Sequence, residues 1–183
     1  MESTELLELQ KRARYGYERG RLTSGVYASL FTLPAMGFSL LTSNTPQASV
    51  AIGAALVMVV VALRWLGQAY GRAVVPGLLA GTAPLILPLL LRGTGHTCFG
   101  GVCWSTCMLG CIAGGLAAGV TVGWISARER DNRWAFLSAA MLLSVITGSL
   151  GCAVVGSAGT VGMLLAVIAS SLPVSFVVQA RAS

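Results

Sequence analysis

The chain has 183 residues, of which 55% are hydrophobic and 10% are charged, and its formal net charge is +6. A soluble domain usually carries about 25% charged residues, so these acids and bases are too few to cover a water-exposed surface. The composition therefore excludes an ordinary soluble domain and predicts an all-α, polytopic membrane protein with the lipid bilayer as its main partner. The basic excess does not require a nucleic acid partner, because basic residues accumulate in the cytoplasmic loops of membrane proteins.

Six apolar runs are long enough to cross a hydrocarbon core, which requires about 20 residues per helix. We place these spans at 23–42, 48–67, 73–91, 106–125, 134–155 and 160–178. Together they form one transmembrane domain over residues 23–181, which follows a cytosolic tail over residues 1–22. The predicted fold is a transmembrane helical bundle of six spans.

The basic residues predict the orientation of the spans. If the N-terminus is cytoplasmic, every lysine and arginine except Arg92 falls on the cytoplasmic side, in the tail, around the second and fourth connections, or at the C-terminus. The inverted arrangement places all of these bases outside. The positive-inside rule therefore predicts that both termini are cytoplasmic.

Several features of active enzymes and transporters are missing from the sequence. No aspartate or glutamate lies within a predicted span, whereas proton-coupled transporters generally need an ionisable group at membrane depth. The chain contains no G-x-S-x-G, no Walker A sequence and no C-x-x-C, which are motifs of nucleophilic, nucleotide-dependent and thiol-oxidising enzymes. We therefore expect a protein that is not an enzyme, and secondary transport is disfavoured.

The cysteines are the most informative residues of the chain. In the predicted topology Cys98 and Cys103 lie in the third connection, Cys107 and Cys111 in the first turns of span four, and Cys152 near the end of span five. All five then lie at or near the outer face. Cys98 and Cys103 flank a glycine-containing loop that is flexible enough to close a disulfide in an oxidising compartment. We predict these two as the candidate redox pair.

A metal site is the second interpretation of the cysteines. Cys103, Cys107 and Cys111 recur every four residues and would form one stripe on a helix. Neighbours on such a stripe are too far apart for a disulfide, but they can share a thiophilic ion such as Zn²⁺ or Cu⁺. No cofactor is certain. The candidate ligands are Cys98, Cys103, Cys107, Cys111, Cys152 and His96.

Helix packing is the third interpretation, and it stays open beside the other two. The same four-residue rhythm continues as Gly115, Gly119 and Gly123, a small-residue stripe of the kind that lets membrane helices approach closely. Cysteine is small and packs well in apolar surroundings. On this interpretation Cys107, Cys111 and Cys152 are packing residues where span four meets span five.

The tail over residues 2–22 is predicted to form a short amphipathic helix, with acids early and bases later, as the helix dipole favours. This helix either lies on anionic lipid or inserts its leucines into a groove of a cytosolic protein. The candidate partner-binding residues are Leu6, Leu7, Leu9, Lys11, Arg12 and Arg14.

The six spans, the short cytosolic tail, the outward cysteines and the stretch A-R-Y-G-Y-E-R-G-R-L at 13–22 resemble small six-helix bacterial membrane anti-sigma factors of the NrsF type. The resemblance covers the architecture of the whole chain, and no functional residue is carried over from it. It implies a multi-pass protein of the bacterial cytoplasmic (inner) membrane whose tail sequesters a sigma factor until an external stress alters the bundle.

The leading expectation is therefore a non-enzymatic membrane sensor or regulator, in which external thiols respond to an oxidant or a thiophilic metal and the tail releases a partner. One alternative is a small permease or binding protein for a thiophilic metal. Another is a structural subunit of a larger membrane complex. A permease needs polar groups through the membrane, and below Cys111 span four offers mainly glycine, alanine and Thr121, which favours sensing.

Overall fold

A computed structural model describes residues 46–91, 96–99, 102–129, 132–152 and 157–182. It also describes isolated positions before residue 46, all of them helical, namely 8, 11, 12, 15, 16, 19, 20, 23, 30, 33, 34 and 37. Apart from the isolated positions, the first predicted span and the predicted tail helix lie outside the described residues. The candidate partner-binding residues Leu6, Leu7, Leu9 and Arg14 are among those outside.

The described part of the chain forms five long helices. They are α1 Pro46–Leu66, α2 Gln68–Leu91, α3 Thr106–Arg128, α4 Arg133–Cys152 and α5 Ser157–Ala182. All five are long and apolar enough to cross a membrane. They correspond to the second to sixth predicted spans, so the prediction of a multi-pass helical membrane protein is confirmed for this part of the chain.

The connection between α1 and α2 is shorter than predicted. Gly67 and Gln68 adopt positive φ angles of 66° and 47°, and Gly67 N donates a hydrogen bond to Leu63 O at 3.1 Å. This left-handed conformation ends α1 in the way that glycine commonly ends helices. The next helix starts at once, since Gly71 N already donates to Gly67 O at 3.0 Å. The predicted connection over 68–72 is therefore helical, because one glycine is enough to separate the two helices.

The two most extensive helix contacts in this bundle join helices that are not neighbours in the sequence. The most extensive contacts join α3 to α5, followed by α2 to α4 and α2 to α3. The contact between α4 and α5 is small, and α1 lies at the edge of the five described helices, where it contacts α4 and α2. The interior contains large side chains that are fully buried, including Leu56, Val122, Leu143, Leu150 and Met163.

Contacts along the helices define two ends of the bundle. At one end the last turns of α2 approach the start of α3, where Gly110 lies beside Pro88. At the other end Arg72 Nη2, near the start of α2, pairs with Glu129 Oε1 at 2.7 Å, just beyond the end of α3. We call the second end the arginine end, because it contains every arginine of the five helices, namely Arg64, Arg72, Arg128, Arg133 and Arg181.

Candidate functional site: a cysteine hairpin at one end of the bundle

The connection between α2 and α3 contains two short β-strands, β1 His96–Phe99 and β2 Val102–Ser105. They pair in antiparallel fashion, with Phe99 opposite Val102. The prediction of a flexible loop is therefore wrong here. The sequence contains the reason, since two glycines separate runs with valine, phenylalanine, tryptophan and threonine, and β-branched and aromatic residues around a Gly-Gly pair favour a hairpin.

The register of this hairpin brings the candidate redox pair together. Cys98 and Cys103 are direct Cα partners across the two strands. Directly opposite residues of an antiparallel pair have Cα atoms about 4.5–5.5 Å apart, and disulfides are found at Cα separations of roughly 4.4–6.8 Å. The backbone thus holds both positions within bridging distance, which a flexible loop would do only part of the time.

The same register places His96 on the face of the hairpin that carries Cys98 and Cys103. His96 is the Cα partner of Ser105. Because alternate strand positions belong to one face of a hairpin and opposite positions share a face, positions 96, 98, 103 and 105 lie on one face. Positions 97, 99, 102 and 104 lie on the other. One face of the hairpin therefore carries the positions of one histidine, two cysteines and one serine.

The structure separates Cys103 from the predicted helical stripe. Helix α3 begins at Thr106, whereas the backbone of Cys103 is part of the strand ladder. A residue whose backbone pairs with a neighbouring strand cannot also belong to the following helix. Cys103 therefore lies in the connection before the helix, and the helical stripe contains only Cys107 and Cys111.

Neither Cys107 nor Cys111 forms a disulfide, and both have defined surroundings. The half-buried Cys107 donates a hydrogen bond from Sγ to Pro88 O at 3.7 Å. Pro88 lies in the last turn of α2, where carbonyl groups have no partner within their own helix. Cys107 therefore caps α2, while Cys111 is completely buried in the apolar core. These roles support packing as the function of these two cysteines.

The glycine stripe of α3 packs on α5. A Cβ atom added at Gly119 would lie 2.5 Å from Val167 O, and one added at Gly123 would lie 2.6 Å from Ser171 O. Gly115 approaches α5 in the same way. The predicted contact of this stripe with span five (α4) is therefore wrong, because the stripe faces the backbone of span six, which is α5.

Two further glycines fix the opposite side of α3. A Cβ atom at Gly114 would lie 2.5 Å from Pro84 Cα, and one at Gly110 would lie 3.2 Å from Pro88 N, both in α2. Helix α3 is thus held between α2 and α5 by contacts that involve backbone atoms. The strand β2 leads into this central helix without any intervening residue.

Cys152 lies at the end of a helix, and its position and the predicted metal site concern the same end of the bundle. Cys152 is the last residue of α4, and neighbouring Gly151 lies beside Leu85 of α2, so the backbone of Cys152 is at the same end of the bundle as the hairpin. Among the residues described with their side chains, no group of three or more histidine, cysteine, aspartate or glutamate residues is arranged to hold a metal ion. The predicted Zn²⁺ or Cu⁺ site stays a prediction.

The arginine end is organised by aromatic stacking. The guanidinium carbon of Arg128 lies 3.9 Å from the ring centroid of Trp124, and that of Arg133 lies 4.7 Å from the ring centroid of Trp134. Trp134 in turn packs edge-on against Phe176, with centroids 5.9 Å apart. Tryptophan and arginine together are typical of the polar boundary of a membrane.

These features define the class of the molecule. It is a multi-pass helical membrane protein with a cysteine-bearing β-hairpin at one end of the bundle and a layer of arginine and tryptophan at the other. Comparisons with protein-family models, with curated proteins and with solved structures found no match.

Proposed function

We propose that this protein is a non-enzymatic sensor of the bacterial cytoplasmic membrane, with six spans and both termini in the cytoplasm. Its hairpin thiols face outwards and respond to oxidants, and its N-terminal tail binds a cytosolic partner such as a sigma factor. The observation that supports this most is the direct pairing of Cys98 with Cys103. Disulfides form and persist outside the cytoplasmic membrane, whereas cytosolic thiols are kept reduced.

The sensing reaction is thiol–disulfide exchange with an external low-molecular-weight disulfide. The thiolate of one hairpin cysteine attacks that disulfide, which gives a mixed disulfide and releases one small thiolate. The second hairpin thiolate then attacks the protein sulfur of the mixed disulfide and releases the other small thiolate. Two protein thiols are thereby oxidised to one disulfide, and the small disulfide is reduced to two thiols.

The attachment of the hairpin supports a route for the signal through the membrane. Since β2 continues directly into α3, a change in the hairpin acts on a helix that is packed on both sides. At its far end α3 is followed by Glu129, which pairs with Arg72 of α2. Closely packed helices respond to such changes by small shifts of whole elements, so a change at the hairpin reaches the arginine end.

The thiol reaction makes a direct prediction. Full-length protein in detergent micelles, treated with oxidised glutathione, should form one intramolecular disulfide between Cys98 and Cys103, detected by peptide mass spectrometry. Cys107 and Cys111 should not be oxidised, because one caps α2 and the other is buried in the core.

The matched controls are the Cys107→Ser, Cys111→Ser double variant, which should form the same disulfide, and Cys98→Ser, which should form none at this site. Free thiols at both hairpin positions after oxidation would overturn the redox proposal. A disulfide that joins other cysteines instead would also overturn it.

The proposed orientation is tested by labelling single introduced cysteines in a cysteine-free background. A cysteine that replaces Thr45 should react with a membrane-impermeant thiol reagent in intact cells. One that replaces Asp131 should react only after the inner face is opened, because Asp131 follows the arginine end of α3 and basic residues are retained inside. The reverse pattern would place the hairpin in the reducing cytoplasm and contradict the redox proposal.

A further inference from the structure

We propose that the reduced hairpin binds one thiophilic metal ion, Zn²⁺ or Cu⁺, through His96, Cys98 and Cys103. This inference rests on the proposed function, since it uses the same two thiols in their reduced state. It goes further because it adds a ligand class and gives a role to His96, which the redox reaction does not use.

The backbone register supplies the first support. Cys98 and Cys103 are directly opposite, and Cβ atoms at such positions are roughly 4.5–5.5 Å apart. Two sulfurs bound to one tetrahedral ion through bonds of about 2.3 Å lie about 3.8 Å apart. The spacing of the two strand positions therefore suits two sulfurs on one ion.

His96 provides the third ligand on the same face. It precedes Cys98 by two residues on β1, and two strand residues rise about 6.6–6.8 Å. Two of the three ligands come from β1 and one comes from β2. They fill three of the four positions of a tetrahedral site, and the fourth stays open.

The chemistry of these residues selects the ion. Two thiolates and one imidazole suit Zn²⁺ and Cu⁺, whereas Mg²⁺ and Ca²⁺ prefer oxygen ligands. Cys107 and Cys111 do not belong to this ligand set, because the first bonds to Pro88 O and the second is enclosed by the core. The site is thus smaller than the six-residue set that the sequence suggested.

Metal binding and disulfide formation exclude each other at this hairpin. A bound ion requires both sulfurs as thiolates and releases their protons, whereas oxidation joins the same sulfurs in one covalent bond. The hairpin therefore has three exclusive states, namely free dithiol, metal-bound dithiolate and disulfide. A thiophilic metal protects the thiols from oxidation, and an oxidant expels the metal.

The test is a Zn²⁺ titration of reduced, full-length protein in detergent against a competing chromophoric chelator. The wild type should bind one equivalent. His96→Ala should weaken binding by about 100-fold or more, since even residues that only orient metal ligands contribute about 10–100-fold. Ser105→Ala is the matched control on the same hairpin face and should bind as the wild type does. The Cys107→Ser, Cys111→Ser double variant should also bind normally.

Two further measurements separate this inference from the redox proposal. His96→Ala should still form the Cys98–Cys103 disulfide, so metal uptake can fail while the redox proposal stands. Oxidised wild type should bind no Zn²⁺ until a reductant is added. Absence of uptake by reduced wild type would overturn the inference. Uptake that survives both His96→Ala and Cys98→Ser would overturn it as well.

Discussion

Replacement of Gly119 by leucine should destabilise the bundle by about 3 kcal/mol or more, at the upper end of the usual cost of overpacking. A Cβ atom at this position would overlap Ser170 Oγ and lie 2.5 Å from Val167 O. A serine side chain can rotate away, but a backbone carbonyl moves only if α5 moves with it. Thermal unfolding in detergent, followed by circular dichroism, measures the loss.

Gly71→Ala is the matched control for this substitution. Gly71 is also buried within a helix, but the nearest atom to its added Cβ is Leu63 O at 3.9 Å, which is ordinary contact. Alanine is favoured over glycine in a helix by about 1 kcal/mol, so this variant should be at least as stable as the wild type. Equal stability of Gly119→Leu and Gly71→Ala would contradict the close packing of α3 on α5.

Replacement of Leu6 and Leu9 together by aspartate should abolish capture of a purified sigma factor by the tail, while insertion into the membrane is unchanged. Two charges in an apolar groove leave both carboxylates buried without partners, which costs more than a docked helix contributes. Co-purification of the sigma factor with wild-type and variant protein from detergent extracts measures this directly.

Tyr15→Asp is the control for the tail. Tyr15 is helical and 71% exposed, and nine residues after Leu6 it lies on the opposite side of an ideal helix. This variant should capture the sigma factor as the wild type does. Capture that survives the double aspartate substitution would exclude the leucines as the docking surface. Loss of capture in both variants would indicate that charge, and not the leucine face, governs binding.

The sequence alone determined that the chain is a membrane protein and where most spans lie. The prediction at 106–125 agrees with Thr106–Arg128, and the prediction at 134–155 with Arg133–Cys152. Apolar length and sparse charge are sufficient for this, because a charged or polar run is costly in hydrocarbon wherever it occurs. Hydropathy does not locate helix ends, however. Residues 68–72 are polar enough to be placed in a loop, yet the helical hydrogen bonds resume directly after Gly67.

The tertiary structure decided which residues meet. The stripe of Gly115, Gly119 and Gly123 was visible in the sequence, but its partner was not, because every helix of the bundle is apolar and a small-residue stripe accepts any close neighbour. The Gly-Gly pair flanked by β-forming residues was also visible. Whether a strand forms there, and in which register, depends on hydrogen bonds to another segment. That pairing is what gives Cys103 a strand conformation and places it opposite Cys98.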